Sequence, residues 1–147
     1  MNIFPFKRKL RRQAVADLLY EDLFCILADN IPGFLGKGLV DKSLLDTPKI
    51  KLECFSLMAF LITFSFQREF KYLSPEATNF ILDCFHGKLF ENINETFKDD
   101  TFPEQLKARY NEYYPCMKED VKCIGMENAI LFRGVIESFL NKIAPDK

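Results

Sequence analysis

The chain reads TPKIKLECFSLMAFLITFSF from Thr47 to Phe66, and this stretch decides the fold. It begins with Thr47-Pro48, in which a residue that can cap a helix precedes a proline, the residue that suits the first helical position. Its middle is apolar on nearly every side, which is typical of a helix surrounded by other helices. The most hydrophobic part, from Cys54 to Phe66, is shorter than the roughly 20 residues of a bilayer span. We therefore predict a central core helix over about 48–70 and no transmembrane segment.

Two further helix starts lie beyond the central helix. Ser74-Pro75 repeats the Thr-Pro pattern, and Thr101 and Glu104 have the three-residue spacing of a capping box. Apolar residues at helical spacing add a first helix over about 8–29 and a last helix over about 127–143. No stretch alternates apolar and polar residues as a strand does. We predict an all-α fold, a single compact bundle of about five to six helices.

Three places are expected to interrupt these helices. The first helix should stop at the breaker-rich residues 30–33. In the third helix the apolar residues change sides at His86-Gly87, which predicts a kink or a break near Gly87. Pro115 predicts that the fourth helix ends or bends near its last turn, because proline lacks the backbone N–H of a helical residue.

The composition is that of one globular domain formed by residues 1–147. Sixteen Phe and no Trp predict a core rich in large, rigid rings. The five cysteines are odd in number and form no Cys-x-x-Cys pair, so we interpret them as buried free thiols in a reducing compartment. The order of charged and apolar residues at the start is the reverse of a signal peptide. We expect a cytoplasmic protein, with a peripheral position at the inner face of a membrane left open.

No residue pattern predicts catalysis, a cofactor or a metal. His86 is the only histidine, and Asp83 precedes it at the spacing that places two ligands on one helix face. A di-iron site of that type needs a second such pair, which a single histidine rules out. We expect His86 to be a structural residue at a helix bend, and we predict that the chain is not an enzyme.

A run of basic residues near the start is the most asymmetric feature of the charge. Residues 7–12 contain five basic side chains, whereas the whole chain has a net charge of −1, so the remainder is acidic. Residues 1–12 form a basic and apolar segment leading into the first helix. Such a segment favours binding to an anionic membrane surface or to a protein partner. The alternative is a solvated helix start without a binding role. Nucleic acid is disfavoured, since the isoelectric point is about 5.9 and no nucleic-acid motif is present. The candidate membrane or partner surface consists of Phe4, Phe6, Lys7, Arg8, Lys9, Arg11 and Arg12.

The predicted fourth helix carries a second candidate surface. Tyr and Arg are enriched at the energetic centres of protein interfaces. The aromatic residues of this helix recur at three- and four-residue spacing, which is also typical of a half-buried helical stripe. We favour such a stripe over an exposed patch. A homodimer stays open as well, because helical faces of this kind serve dimers as readily as monomers. The residues of this candidate partner patch are Arg109, Tyr110, Tyr113 and Tyr114.

Two stretches carry a family resemblance. The first is FKRKLRR from Phe6 to Arg12, followed by Ala14 and Leu19-Tyr20; the second comprises Asp46-Thr47, Lys51-Leu52-Glu53, Leu57 and Phe60-Leu61. Together they resemble the ubiquinol–cytochrome c chaperone family, the assembly factors for cytochrome b of the bc1 complex. Leu45 stands where that family usually has Pro, and Met58 stands where it has His. The resemblance covers about half of the chain. It implies an all-helical, non-enzymatic chaperone that works at the membrane surface on a partner protein.

The leading hypothesis is a non-enzymatic helical interaction domain, membrane-peripheral through its basic start, that acts as an assembly chaperone or adaptor. The alternative is a carrier of an apolar small molecule or lipid, which the Phe-rich core and a cavity opened by a kink at Gly87 would favour.

Overall fold

A computed structural model describes the backbone of residues 4–35, 47–122 and 132–143, and the side chains of residues 11–30, 47–118 and 132–143. These ranges form five helices and no strand, so the all-α prediction is confirmed. Helix α1 consists of an α-helical part Phe4–Asp17, a π-helical segment Leu18–Phe24 and a second α-helical part Cys25–Leu35. The other helices are α2 (Pro48–Glu69), α3 (Pro75–Phe97), α4 (Phe102–Lys122) and α5 (Arg133–Ile143).

Helix α2 is the centre of the bundle, as its sequence predicts, and it contacts each of the other four helices. One of its faces packs with α1, α3 and α4 in a first core cluster that includes Met58 and Phe85. Another packs with α4 and α5 in a second cluster that includes Phe60 and Tyr113. A helix that serves two cores needs apolar residues around most of its circumference, which explains the nearly continuous apolar run.

The length and composition of α2 would also suit a membrane-crossing helix. Its most apolar window has a mean hydropathy of 1.4, but 67% of that window is buried inside the fold. Burial against the rest of the chain is the property of a core helix in a helical bundle.

Both Xaa-Pro helix starts form as expected. The Thr47 hydroxyl accepts a hydrogen bond from the backbone N–H of Ile50 at 3.4 Å, and Ser74 Oγ accepts from Ala77 N–H at 3.1 Å. The start of α4 differs from the predicted capping box, because the Thr101 hydroxyl donates to the Asp99 carboxylate at 2.6 Å. The local sequence therefore determines where these three helices begin. At α4, however, the hydrogen bond made by the Thr101 hydroxyl differs from that of the predicted capping box.

A kink or a break was predicted near Gly87, and the break is wrong, because α3 is α-helical without interruption from Pro75 to Phe97. Its buried side chains follow one another at four-residue intervals, and each interval exceeds a 3.6-residue turn by about 40°. A single stripe thus winds around the helix, and all of its residues belong to the first core cluster. The buried residues of this stripe are Ile81, Phe85, Leu89 and Ile93.

Two other helix ends differ from expectation. Helix α1 continues past residues 30–33 to Leu35, and α4 passes through Pro115 to Lys122. Tyr113 and Met117 on either side of Pro115 are buried in the core, whereas Pro115 itself is exposed. The core contacts hold both sides of α4 in place, so losing one backbone hydrogen bond on the solvent face does not end the helix. The first residues of the predicted last helix, 127–131, lie outside the described residues.

Candidate functional site

Exposed apolar side chains are concentrated on one side of the bundle. Six large hydrophobic residues with known side-chain placement are exposed, and five of these belong to α1 or to the end of α2 and the turn after it. Leu18, Leu23 and Ile26 are each at least 50% exposed. Phe70 and Tyr72 complete this exposed set, while Ile136 lies apart on α5. A contiguous apolar patch of this kind marks interaction sites on proteins.

These side chains border two open grooves that join each other. The first, of about 500 Å³, lies between α1 and the C-terminal half of α2 and has Leu61, Ile62 and Phe66 among its lining residues. The second, of about 590 Å³, extends from Phe66 and Phe70 toward the N-terminal half of α1 and the start of α3. Both grooves are lined by Phe66 and Phe70 and therefore adjoin each other along α1. We call the two together the α1–α2 groove.

The π-helical segment of α1 shapes one wall of this groove. The backbone N–H of Cys25 donates to the carbonyl of Tyr20, five residues earlier, instead of four as in an α-helix. Residues five apart consequently share a face here, so Leu19 and Phe24 both point into the core while Leu18 and Leu23 both stay exposed. In a regular α-helix, residues five apart would differ in direction by about 140°.

The rim of the α1–α2 groove carries charges of opposite sign at different places. Arg11 and Arg12 line the end nearest the start of α1. Asp22 and Glu69 line the other part, beside Leu23 and Ile26. None of these four side chains forms a salt bridge with another residue in the parts of the chain that the structure describes.

The N-terminal residues of the predicted surface are placed only in part. Phe4, Phe6, Lys7, Arg8 and Lys9 belong to the helical backbone of α1, and their side chains lie outside the described ones. Arg11 is exposed, and Arg12 is partly exposed. The basic run is therefore helical and continues directly into the α1–α2 groove.

The second predicted surface is largely an internal feature. Tyr113 is fully buried and is not available to a partner, while Arg109, Tyr110 and Tyr114 are half-buried. This corresponds to the half-buried stripe that we favoured over an exposed patch. Tyr110, Tyr113 and Tyr114 all pack against Phe60 of α2, with ring centroids 5.1–5.7 Å apart.

Arg109 neutralises a buried carboxylate. Glu53 on α2 is only 3% exposed, and Arg109 donates to it from Nε at 2.8 Å and from Nη2 at 2.5 Å. The hydrogen bond to Glu53 is the main reason why the pKa of Arg109 is raised. Arg109 also pairs with Glu112 at 3.3 Å, and Glu112 pairs with Lys142 of α5 at 2.6 Å. This network ties α2, α4 and α5 together and is structural in character.

His86 lies in a second internal polar cluster. Its Nε2 is 2.7 Å from the Tyr110 hydroxyl and 3.3 Å from Thr63 Oγ1, and those two oxygens are 3.1 Å apart. Burial lowers the pKa of His86, opposed in part by the charge of Asp83, and burial raises the pKa of Tyr110. A neutral imidazole bonded to two buried hydroxyls joins α2, α3 and α4. The prediction of a structural histidine fits this placement, although no helix break occurs beside it.

One buried polar atom has no partner within the described part of the chain, the hydroxyl of Tyr113. Burial raises the pKa of this phenol, and the negative charge of Glu53 raises it further. The hydroxyl is therefore protonated at neutral pH and carries no charge next to the Glu53–Arg109 pair.

The cysteines and acidic residues form no metal site in the described part of the chain, where no group of three or more His, Cys, Asp or Glu side chains converges. Cys25, Cys54 and Cys84 are free thiols, and Cys116 Sγ donates to the backbone carbonyl of Glu112 at 3.3 Å. Cys123 lies outside the described residues. Of the four described cysteines, Cys54 alone is buried, so the prediction of buried thiols is wrong for Cys25, Cys84 and Cys116, which are partly exposed. Burial raises the pKa of Cys54 to about 11. A thiol with such a pKa stays protonated and unreactive at neutral pH.

The α1–α2 groove was not predicted from the sequence, because the apolar residues of the first helix were used only to locate that helix and not to assign a buried and an exposed face. A usable signal was present. The apolar pairs Leu18-Leu19 and Leu23-Phe24 recur after five residues instead of three or four, which is the interval of a π turn.

Comparisons of this chain with protein-family models, with curated proteins and with solved structures found no match.

Proposed function

We propose that this chain is a non-enzymatic helical interaction domain that acts as an assembly chaperone or adaptor and is held at an anionic membrane surface by its basic N-terminal segment. The observation that carries the proposal is the gathering of exposed apolar side chains along α1, directly after the basic run. Leu18, Leu23 and Ile26 expose a large apolar area to water. Burying such an area against a partner is favourable.

The internal polar groups support a role without catalysis. His86, Thr63 and Tyr110 satisfy one another, and Glu53 is paired with Arg109. A catalytic base or nucleophile needs an accessible position beside a space where substrate can bind. The α1–α2 groove, in contrast, is lined mainly by apolar side chains.

The basic run favours the membrane part of the proposal. Each Lys or Arg near an anionic surface contributes about 1 kcal/mol, so neutralising three of them should weaken binding about 100-fold. The test is flotation of the purified protein with phosphatidylglycerol-containing vesicles and with phosphatidylcholine vesicles. The wild type should bind the anionic vesicles preferentially and should lose that preference as salt is added.

The decisive variant is Lys7→Gln with Arg8→Gln and Lys9→Gln, which should lose vesicle binding. A matched control, Lys49→Gln with Lys107→Gln and Lys118→Gln, removes the same charge from exposed positions on α2 and α4 and should bind as the wild type does. Equal binding to both vesicle types, or equal loss in the two triple variants, would contradict a membrane role for the basic run.

The alternative, a carrier of an apolar molecule, is favoured by the volume of the groove, since about 500 Å³ lies within the range of small-molecule sites. The site differs from the one expected at Gly87, which is exposed with open space around it. A carrier should release a bound small molecule in native mass spectrometry of the purified protein. A spectrum of the bare chain alone would count against this alternative.

A further inference from the structure

We infer that the α1–α2 groove docks one amphipathic α-helix of a protein partner, with acidic residues of that helix against Arg11 and Arg12 and basic residues against Asp22 and Glu69. This inference rests on the proposed function, because a chaperone or adaptor must hold part of its partner. It adds the place of contact and the chemistry of the segment that is held.

The shape of the groove fits a helix. Two neighbouring helices, α1 and α2, form its walls, and a third helix packs into such a groove by inserting its side chains between theirs. Along α1 the groove runs from Arg11 to Ile26, which corresponds to roughly four turns of a partner helix. Helices of this length are recognised through apolar anchors at i, i+3, i+4 and i+7.

The charges of the groove select the partner. A helix with acidic residues at one end would meet Arg11 and Arg12, and its basic residues would meet the two carboxylates beside the apolar row. None of the four has a salt bridge within the described part of the chain, so pairing with the partner breaks no salt bridge there. Charge complementarity of this kind fixes the direction in which the partner helix lies.

The same charges disfavour a membrane or a second copy as occupant of the groove. A bilayer surface is flat and anionic, whereas the groove is concave and carries Asp22 and Glu69 on its rim. In a two-fold dimer centred on the apolar row from Leu18 to Ile26, Asp22 would face its own copy, and like charges that meet in this way are destabilising.

A display library of amphipathic helices, with a constant leucine stripe and varied charged positions, provides the probe. Helices selected on the full chain should carry acidic residues at one end and basic residues further along. Their affinity, measured by fluorescence anisotropy, should fall about tenfold or more in Leu23→Glu, because the bound helix no longer covers an apolar leucine and meets a negative charge added beside Asp22 and Glu69. Ile136→Glu, which alters an exposed apolar residue of α5, is the matched control and should bind as the wild type does.

A second variant keeps the test independent of folding effects. Arg11→Glu with Arg12→Glu leaves the apolar row unchanged and makes all four charges of the groove negative. It should weaken the binding of helices with acidic ends and favour helices that carry basic residues at both places. The inference is overturned if no helix is selected, if Leu23→Glu and Ile136→Glu bind equally, or if charge order has no effect. It is also overturned if Leu23→Glu instead removes a dimer in sedimentation or abolishes vesicle flotation.

These outcomes separate the inference from the proposed function. Vesicle binding that depends on Lys7, Arg8 and Lys9, together with no helix binding, would leave the membrane role intact and remove the groove as a docking site. Helix binding without vesicle binding would support the groove as a docking site and remove the membrane role.

Discussion

Glu53 is a charged residue that is buried in the interior of this protein. It is 3% exposed, and its two carboxylate oxygens are bonded by the guanidinium of Arg109, with Gln105 Nε2 at 3.5 Å. A buried carboxylate is tolerated only when it is paired and hydrogen-bonded. At the surface, the exposed pair of Arg133 and Glu137 at 3.1 Å has no comparable importance, since water solvates both groups.

We predict that Arg109→Leu lowers the free energy of unfolding by about 3 kcal/mol, because it leaves the Glu53 charge buried without its main partner. The measurement is urea denaturation followed by circular dichroism. Arg133→Leu, which breaks the exposed pair, should change the free energy by less than about 1 kcal/mol. Removing both charges, as Glu53→Leu with Arg109→Leu, should be less destabilising than Arg109→Leu alone. Equal losses in the two single variants would contradict the prediction.

His86 makes stability depend on pH in a defined direction. Burial lowers its pKa in the folded protein below the ordinary value of 6.5. Above pH 6.5 neither the folded nor the unfolded chain is protonated at this residue. As the pH falls through 6.5, the unfolded chain takes up a proton that the folded chain does not, so the free energy of unfolding decreases until the pH reaches the folded pKa.

The test uses the fact that His86 is the only histidine. Its Cε1 proton gives one NMR signal, which should titrate with a midpoint below 6.5 in the folded protein. In the variant His86→Gln, the decrease in the free energy of unfolding just below pH 6.5 should become smaller. A midpoint at or above 6.5 would show that the ring is not held neutral by burial.

At the level of elements, α1 and α3 show two ways in which a helix adjusts its face to its neighbours. Helix α3 does so with a regular backbone, by four-residue steps that let its buried stripe wind around the axis. Helix α1 does so with a π segment, which keeps Leu19 and Phe24 inside. Such π segments are rare and are often associated with functional sites.

We predict that Gly87→Ala raises the free energy of unfolding by about 0.5–1 kcal/mol. Gly87 lies within the continuous helix α3, and a Cβ atom added there would meet nothing within 4 Å. The alanine would therefore gain helix propensity without any steric cost. Thermal and urea denaturation provide the measurement. Destabilisation by this substitution would indicate that the conformational freedom of glycine is needed at this position, as a kinked helix would require.

For the molecule as a whole, two core clusters meet on α2, and the α1–α2 groove borders the first of them, with which it shares Leu19, Ile62 and Phe66. Its exposed row, Leu18, Leu23 and Ile26, belongs to neither cluster. The exposed apolar row on α1 contributes little to the core, so we expect substitutions of its residues to leave the fold intact. That separation allows the stability and the binding properties of the protein to be tested independently.

We predict that Leu18→Gln with Leu23→Gln and Ile26→Gln reduces the binding of the dye anilinonaphthalene sulfonate, because the three changes remove the main exposed apolar row. The free energy of unfolding should stay within about 0.5 kcal/mol for each change, as for other surface substitutions. Dye fluorescence and urea denaturation are measured on the same samples. Ile136→Gln is the control and should leave dye binding nearly unchanged. An unchanged signal in the triple variant would place the dye-binding surface elsewhere.

The sequence by itself determined where most of the helices lie and which one is central. Thr47-Pro48 and Ser74-Pro75 act through hydrogen bonds within one turn, so their effect does not depend on the rest of the fold. The apolar circumference of α2 likewise follows from residues within one helix. The expectation of a structural His86 also came from the sequence, but its partners Thr63 and Tyr110 did not, since they lie on two other helices.

Only the tertiary structure decided which faces meet and which face stays open. The Glu53–Arg109 pair joins residues 56 positions apart, and no local pattern indicates that such distant side chains come together. The continuity of α3 at Gly87 and of α4 at Pro115 depends on packing that outweighs local propensity. The α1–α2 groove has the same origin, because its walls belong to separate helices and its exposed row depends on a π turn that packing of Leu19 and Phe24 holds in place.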